Sequence, residues 1–422
     1  MIFPLKMIGT SLSAYTVRFI LRDSTYLTVT ASDGAEVLKP TDPTIDGYNF
    51  LGWYTGENGT GSAVTFPFTP DKNMIVYAYI VKAVVIGFTG LSDSSGNLVW
   101  TDDIADESGY TTSTDGNYVS VSSPLDNVFP YSEMVGAADT AGNQFVKIPR
   151  LYIKWVKKNG ILDGIKISNA PYDSSYFCPD IFQKSSTEYY DYCLIGIYEG
   201  STSNGKLTSQ SGKICSTFMN LSAARTAATS VGSDYGLYNF GMMVLYNFLC
   251  MLYYKTANIQ TVFAGRTSAD SVSDTGTCDP IYRNGWNTST GCVKMLGVEN
   301  PYGNIEKWID GIVFSGTSIY SGANSISGKN LGFTRPSTDG YASRLECGTN
   351  DNVRSYVYCR TASGTADTYT GDKVYYSSTG VNLANGGHYY MGDSAGLWCL
   401  SGTETAQGTS PASVGARLAK ME

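Results

Sequence analysis

The segment Gly297-Val298-Glu299-Asn300-Pro301-Tyr302-Gly303-Asn304-Ile305-Glu306-Lys307-Trp308-Ile309-Asp310-Gly311 constrains this chain most. Gly303-Asn304 favours a tight turn, because both residues tolerate positive φ. Trp308 then buries a large ring and anchors that turn to a core. Glu299, Glu306 and Asp310 are acidic enough for acid–base chemistry, but structural hydrogen bonding or solvent exposure is the favoured reading of these carboxylates.

A long tail rich in Tyr, Ser, Gly, Thr and Asn follows this segment. Tyr and Trp give rigid contact area at low entropy cost, and small polar residues adapt around them. Antibody paratopes share this composition. The tail's candidate ligand contacts are His388, Tyr389, Tyr390, Asp393, Ser394, Trp398 and Cys399, with Tyr356, Tyr358, Arg360, Tyr375 and Tyr376 upstream. Ala395 and Leu397 read as core, and Trp398 admits that reading too. His388 is the only histidine, so a Ser-His-Asp or Cys-His mechanism must use it or fail.

The 46 Gly and 32 Tyr of the 422 residues, with 16% charged, suit loop-rich β structure better than a helical bundle. A net charge of -8 repels phosphate backbones and argues against nucleic acid as a partner. The nine Cys contain no Cys-x-x-Cys pair. They read mainly as free thiols, with one or two disulfides after release into an oxidising medium left open. No metal site is assigned; an all-carboxylate calcium site stays open.

Strands are expected at Val17–Leu21, Leu27–Thr30, Phe50–Tyr54, Met74–Tyr79, Val84–Phe88, Tyr118–Val121, Phe145–Val156 (one long or bent pair), Leu194–Ser201 and Ala412–Leu418. Helices are expected over 218–229 and 237–258. The second carries Leu237, Phe240, Val244, Phe248 and Leu252 at helical spacing, with Ser233 or Asp234 as its cap. It is apolar nearly all round and belongs in a core; the uncharged run Tyr235 to Tyr254 is not read as a membrane span, since Asn239, Asn247, Gly236, Gly241 and several Tyr interrupt it. Met1 to Ala14 lacks the apolar run of a signal peptide, so assembly in the cytoplasm and release by lysis is the expected route.

Gly47-Tyr48-Asn49-Phe50-Leu51-Gly52-Trp53-Tyr54, with Thr60-Gly61-Ser62 in the turn, resembles the internalin-type (Listeria–Bacteroides) repeat. The resemblance covers residues 16–82 and implies a small β-grasp-like spacer of surface and adhesive proteins. Trp53 and Tyr54 are expected in its core.

From Phe145 to Leu418 the chain resembles C-type-lectin-fold proteins of the formylglycine-generating-enzyme-like and phage receptor-binding kind. The carriers are Val146-Lys147-Ile148-Pro149-Arg150-Leu151-Tyr152, Ile197-Tyr198-Glu199-Gly200-Ser201 and, most specifically, the segment from Gly297 to Gly311. Gly386 to Trp398, and Val414-Gly415-Ala416-Arg417-Leu418, resemble the variable segment of retroelement-diversified phage tail adhesins, with Tyr389 where Trp is commoner. This resemblance implies a fixed scaffold, Gly303, Asn304 and Trp308 among it, under a diversified surface.

The expected class is α+β: an attachment segment (1–15), the β-grasp-like repeat (16–82), a connecting β region (83–144) and a C-type-lectin-fold domain (145–422) with few helices. The expected function is a phage tail or fibre adhesin on a virion, trimeric, without cofactor or catalysis. Its partners would be a bacterial protein or glycan receptor and other tail proteins, with no membrane insertion. A bacterial cell-surface adhesin is the alternative. A formylglycine-generating-type enzyme is weaker, because Cys347, Cys359 and Cys399 give no alignable reactive pair.

Overall fold

The structure is a computed structural model that describes residues 13–186, 188–321, 329–348, 354–376, 382–402 and 412–422. The attachment segment falls almost wholly on residues 1–12, outside the described residues. Two compact units make up the chain: Met1–Val84 with Asn169–Tyr176, and Val85–Ser168 with Phe177–Glu422.

The first unit is one sheet. β1 (Ala14–Leu21) and β2 (Ser24–Ser32) form an antiparallel hairpin, β3 (Tyr48–Tyr54) follows a Pro-punctuated loop, and β4 (Met74–Lys82) lies parallel to β1 and antiparallel to β3. In β1 the alternation sends Val17 and Phe19 inward and Arg18 outward. Trp53 is buried, its ring 5.0 Å from Phe19 and 5.3 Å from Phe50. Tyr54 is half-buried against Tyr79.

In the second unit short strands surround one buried helix. The expected α+β class is overturned: among the described residues there are two α-helices against thirty-one strands. The chain is mainly β because Thr, Tyr, Val and Ile suit a pleated surface while Gly punctuates nearly every other segment. Only two stretches keep an apolar helical period long enough to form a helix. α1 (Leu221–Thr229) is capped by Asn220, whose side chain accepts from the Ala223 N–H. α2 (Phe240–Tyr254) is capped by Asn239, not by Ser233 or Asp234. The difference arises because Leu237, expected as the first residue of the helix, belongs with Tyr235 and Gly236 to a strand that pairs with Leu418–Met421. Lys255 ends α2 in a left-handed conformation.

Phe248 joins the helix to the surrounding layers. Its ring lies 5.0 Å from Trp155, 5.8 Å from Trp398 and 6.1 Å from Phe88. Tyr131, Trp100 and Tyr246 reach the same region with polar handles, donating to the carbonyls of Leu249, Leu252 and Met295 respectively. Among the described residues no helix is long and apolar enough to cross a membrane.

Of the two forms expected over 145–156, one long strand or a bent pair, the chain takes two strands, divided at Pro149, which ends the first and cannot donate to a ladder. Gln144–Pro149 pairs with Tyr192–Gly196, and Tyr152–Lys158 pairs with Ile161–Ser168 in another sheet. The expected closing strand also breaks, into Val414–Gly415 and Leu418–Met421. Arg417 lies between them and turns inward.

Candidate binding surface

The motif segment folds as the sequence suggested, and its polar groups are buried rather than displayed. Asn300 and Asn304 take positive φ of 43° and 57°. The Trp308 indole N–H donates to the Met219 carbonyl at 2.7 Å. Lys307 and Glu199 form an ion pair of 2.9 Å with side chains 1% and 0% exposed. The Asn304 amide donates to the same carboxylate, and so does Asn300 at 3.4 Å. Burial lowers the Lys307 pKa, against the opposing attraction of Glu199.

Arg417 completes the framework. Its guanidinium donates to the carbonyls of Gly196, Ile197, Glu299 and Asn300 at 2.7–3.0 Å. Segments near residues 199, 300 and 417 are thereby clipped together. Glu299 accepts from the Gly276 and Cys278 N–H groups, and burial raises its pKa to about 7. Asp310 pairs with Arg225 at 2.8 Å and so ties the motif's end to α1.

A six-stranded sheet places the display segment. Its order is Gly340–Tyr341, Lys373–Tyr375, Leu400–Ser401, Leu383–Asn385, Glu306–Ile309, Val414–Gly415. The stretch 386–399 connects two neighbouring antiparallel strands of that sheet. Its backbone is pinned to the framework at both ends and in the middle. Gly303 donates to the Gly386 carbonyl at 3.0 Å, Tyr389 donates to the Asn304 carbonyl at 3.1 Å, and Ala269 donates to the Tyr389 carbonyl at 2.6 Å. Gly392 donates to Thr267 at 2.8 Å, and the Gln260 amide reaches the carbonyls of Asp393 and Ala395.

On this pinned loop Tyr390 is 63% exposed. Asp393 is exposed, and Tyr389 and Ser394 are half-buried. The Tyr389 and Tyr390 rings meet edge to face at 4.9 Å. The Ser394 side chain lies near the Tyr375 hydroxyl, and the Lys373 ammonium lies 4.8 Å from the Tyr375 ring centroid. Tyr375 thus shares the surface of the loop. Lys373 is the contributor that sequence reading missed; its position two residues before Tyr375 on one strand was the available signal.

Several candidates fall elsewhere. Trp398 and Cys399 are fully buried, and Tyr358 is 2% exposed between Phe240 and Phe314, so these three are core residues. Trp398 sits inward because its N–H groups bond Asp372 and the Met251 sulfur. His388 is 8% exposed, not a surface contact; its ring centroid lies 4.0 Å from that of Tyr390 and supports it from beneath. Burial, then the Lys307 charge, pushes the imidazole pKa down to about 4, so it is neutral at pH 7.

Tyr376 packs against the Arg335 guanidinium, 4.9 Å from its ring. Arg360 is exposed and pairs with Glu346 at 3.5 Å. Tyr356 is half-buried and lines a different feature, a cavity of about 390 Å³ walled by Trp155, Phe240 and Val244 with Asp180 and Ser355 at its polar side. Among the described residues, no hydrogen bond or ring contact joins Tyr356, Tyr358 or Arg360 to the loop. Sequence reading placed Phe240 in a core helix and Trp155 on a strand, because an apolar residue lining a cavity has the same pattern as one lining a packed interior.

Comparison with known proteins gives one family. The Listeria-Bacteroides repeat domain matches residues 15–79. No curated protein matches the chain. Two solved structures similar to it are the Major Tropism Determinant U1 variant and M1 variant. Each is 15% identical, with 92% of this chain and 85% of that chain covered, at a TM-score of 0.26.

Proposed function

We propose that this chain is a receptor-binding protein, an adhesin of a phage tail or fibre that grips a bacterial surface molecule through the 386–399 loop and its neighbour Tyr375. The supporting observation is the contrast within that loop. Its backbone is bonded to Asn304, Thr267, Ala269 and Gln260, while Tyr390, Asp393 and part of Tyr389 are left outward. A pinned backbone lowers the entropy lost when the aromatic residues engage a ligand. The buried Glu199–Lys307–Arg417 framework supports the same reading, because it holds the loop's base without exposing a catalytic group.

In this proposal the receptor is a protein or glycan, other tail proteins anchor the chain to the virion, and a homotrimer multiplies a weak single-site affinity. The repeat serves as spacer. Retroelement-driven variation of the exposed loop positions belongs to the same proposal, on the strength of the Gly386–Trp398 and Val414–Leu418 motifs.

A bacterial cell-surface adhesin is the second reading, favoured by the repeat at residues 15–79. Immunogold labelling separates the two: the tail adhesin decorates particles, whereas the surface adhesin decorates cells. The binding claim itself is tested with fluorescently labelled purified protein on candidate host cells. Saturable binding that competes with particle adsorption is expected. Absence of binding to every cell type that the particle infects would refute it.

A further inference from the structure

We propose that Cys278, Cys292 and Glu299 form a binding site for a thiophilic divalent cation, with zinc as its occupant. The Sγ atoms of both cysteines and a carboxylate oxygen of Glu299 all lie within 4.8 Å of one another, and all three residues are buried. Zinc bound tetrahedrally at a Zn–S distance of about 2.3 Å sets its ligand atoms about 3.8 Å apart, so the cluster needs little adjustment to close on an ion.

The local fold holds the three donors independently of any ion. Glu299 ends the strand Val298–Glu299, and its two carboxylate oxygens accept from Gly276 at 2.8 Å and Cys278 at 3.1 Å. That fixes the turn carrying Cys278 against the carboxylate. Cys292 closes the turn from Asn287, whose N–H donates to the Cys292 carbonyl at 2.9 Å, and the Asn287 amide reaches back to Thr277 at 3.1 Å. The Thr277 hydroxyl lies beside the Cys292 sulfur, and its oxygen is buried without a conventional partner. It offers a fourth oxygen donor.

Charge favours a cation once the thiols ionise. Two thiolates and a carboxylate carry three negative charges. The ion supplies two positive charges, and Lys294, 5% exposed and shared with Asp279 at 3.9 Å, acts electrostatically on Glu299 and offsets part of the third. The Lys294 ammonium is held off the cluster by the Ile281 carbonyl at 3.0 Å, so it balances charge without occupying the ligand position. Binding releases the two thiol protons, and the Glu299 proton where it is held, to solvent. The bound ion would clamp the strands Gly285–Asn287, Val293–Met295 and Val298–Glu299, and so the entry to the motif segment. This site is independent of the loop surface and of the function proposed for it.

The test uses the full chain, purified without chelator and analysed for metal by mass spectrometry. About one zinc per chain is expected, retained through desalting. Cobalt added to metal-stripped protein should give the intense near-ultraviolet band of thiolate-to-cobalt charge transfer. Glu299→Gln, close in shape, should weaken zinc affinity at least about tenfold, and Cys278→Ala with Cys292→Ala should abolish the cobalt band. Cys178→Ser is the control that keeps both. Should the double variant not fold, the wild type still decides: chelation should lower its Tm, and added zinc should restore it. Folded wild-type protein that takes up no zinc, a Tm indifferent to chelator, or a Cys278–Cys292 disulfide in the freshly isolated chain would each overturn the proposal.

Discussion

The Lys307 ammonium lies 2.9 Å from the Glu199 carboxylate, with both side chains removed from solvent. Asn304 and Asn300 donate to the other oxygen of that carboxylate, and the Gly303 carbonyl accepts from the ammonium at 3.0 Å. Two segments about a hundred residues apart in sequence therefore meet in a satisfied polar core. The pair sits directly beneath the display loop, because the Asn304 carbonyl is also the acceptor for Tyr389.

Removing one partner leaves an uncompensated buried charge. Lys307→Met should therefore destabilise the second unit by about 3–5 kcal/mol. Glu199→Gln combined with Lys307→Met should cost less than Lys307→Met alone, since no bare carboxylate remains. Chemical denaturation of the three proteins checks this; equal losses for the single and double variants would contradict it.

Asp372 governs part of the pH response. It is 2% exposed, and burial raises its pKa to about 8, while the Trp398 N–H donates to it at 2.7 Å. An unfolded Asp titrates near about 3.9. Between those values the folded chain keeps a proton that the unfolded chain has released. The associated stability is full below about pH 4 and is lost as pH rises toward about 8. Asp372→Asn keeps an acceptor for Trp398 and removes the titration. Its Tm relative to wild type should rise steadily from about pH 4 to about pH 8. In metal-free protein Glu299 acts in the same direction up to about 7, and His388 in the opposite direction, its stability being lost as pH falls toward about 4. Both are common to the two proteins, so the Tm difference isolates Asp372.

Tyr390→Ala separates binding from folding. The side chain is 63% exposed, so unfolding free energy should change by no more than about 0.5 kcal/mol. Loss of a central aromatic contact should cost about 2 kcal/mol of affinity, roughly thirtyfold in Kd on host cells. Trp398→Phe should do the reverse, lowering Tm and leaving Kd unchanged in whatever fraction folds. A binding isotherm alongside a thermal melt reads both; an unaltered Kd for Tyr390→Ala removes this loop from the interface.

Gly396 tests how tightly the loop base is packed. It has φ of 152°, and an added methyl would overlap the Asp372 carboxylate. Gly396→Ala should destabilise by about 2–3 kcal/mol. Gly392→Ala, at φ 57° with nothing close to the added methyl, should cost about 1 kcal/mol from backbone strain alone. Similar denaturation midpoints for the two would argue against a packed base.

Local chemistry was legible in the sequence wherever a residue's role follows from its neighbours along the chain. The β1–β4 strands, the Gly303-Asn304 turn, the burial of Trp53 and Trp308 and the apolar character of α2 all follow from alternation, turn preference or helical period. The exposed Tyr390 and Asp393 were legible for the same reason, lying among Gly and Ser that leave them uncovered. Which of the other polar and aromatic residues face inward was decided only by the tertiary fold. His388, Tyr358 and Trp398 look like neighbours of Tyr390 in composition, yet His388 lies near Lys307, Tyr358 packs on Phe314, and Trp398 bonds Asp372 and Met251, all supplied by other segments of the chain. The mainly β class and the meeting of Glu199, Lys307 and Arg417 were decided the same way. Side-chain direction in irregular backbone has no period to read, and a buried charge is stable only where segments distant in the chain supply its counter-charge and hydrogen bonds.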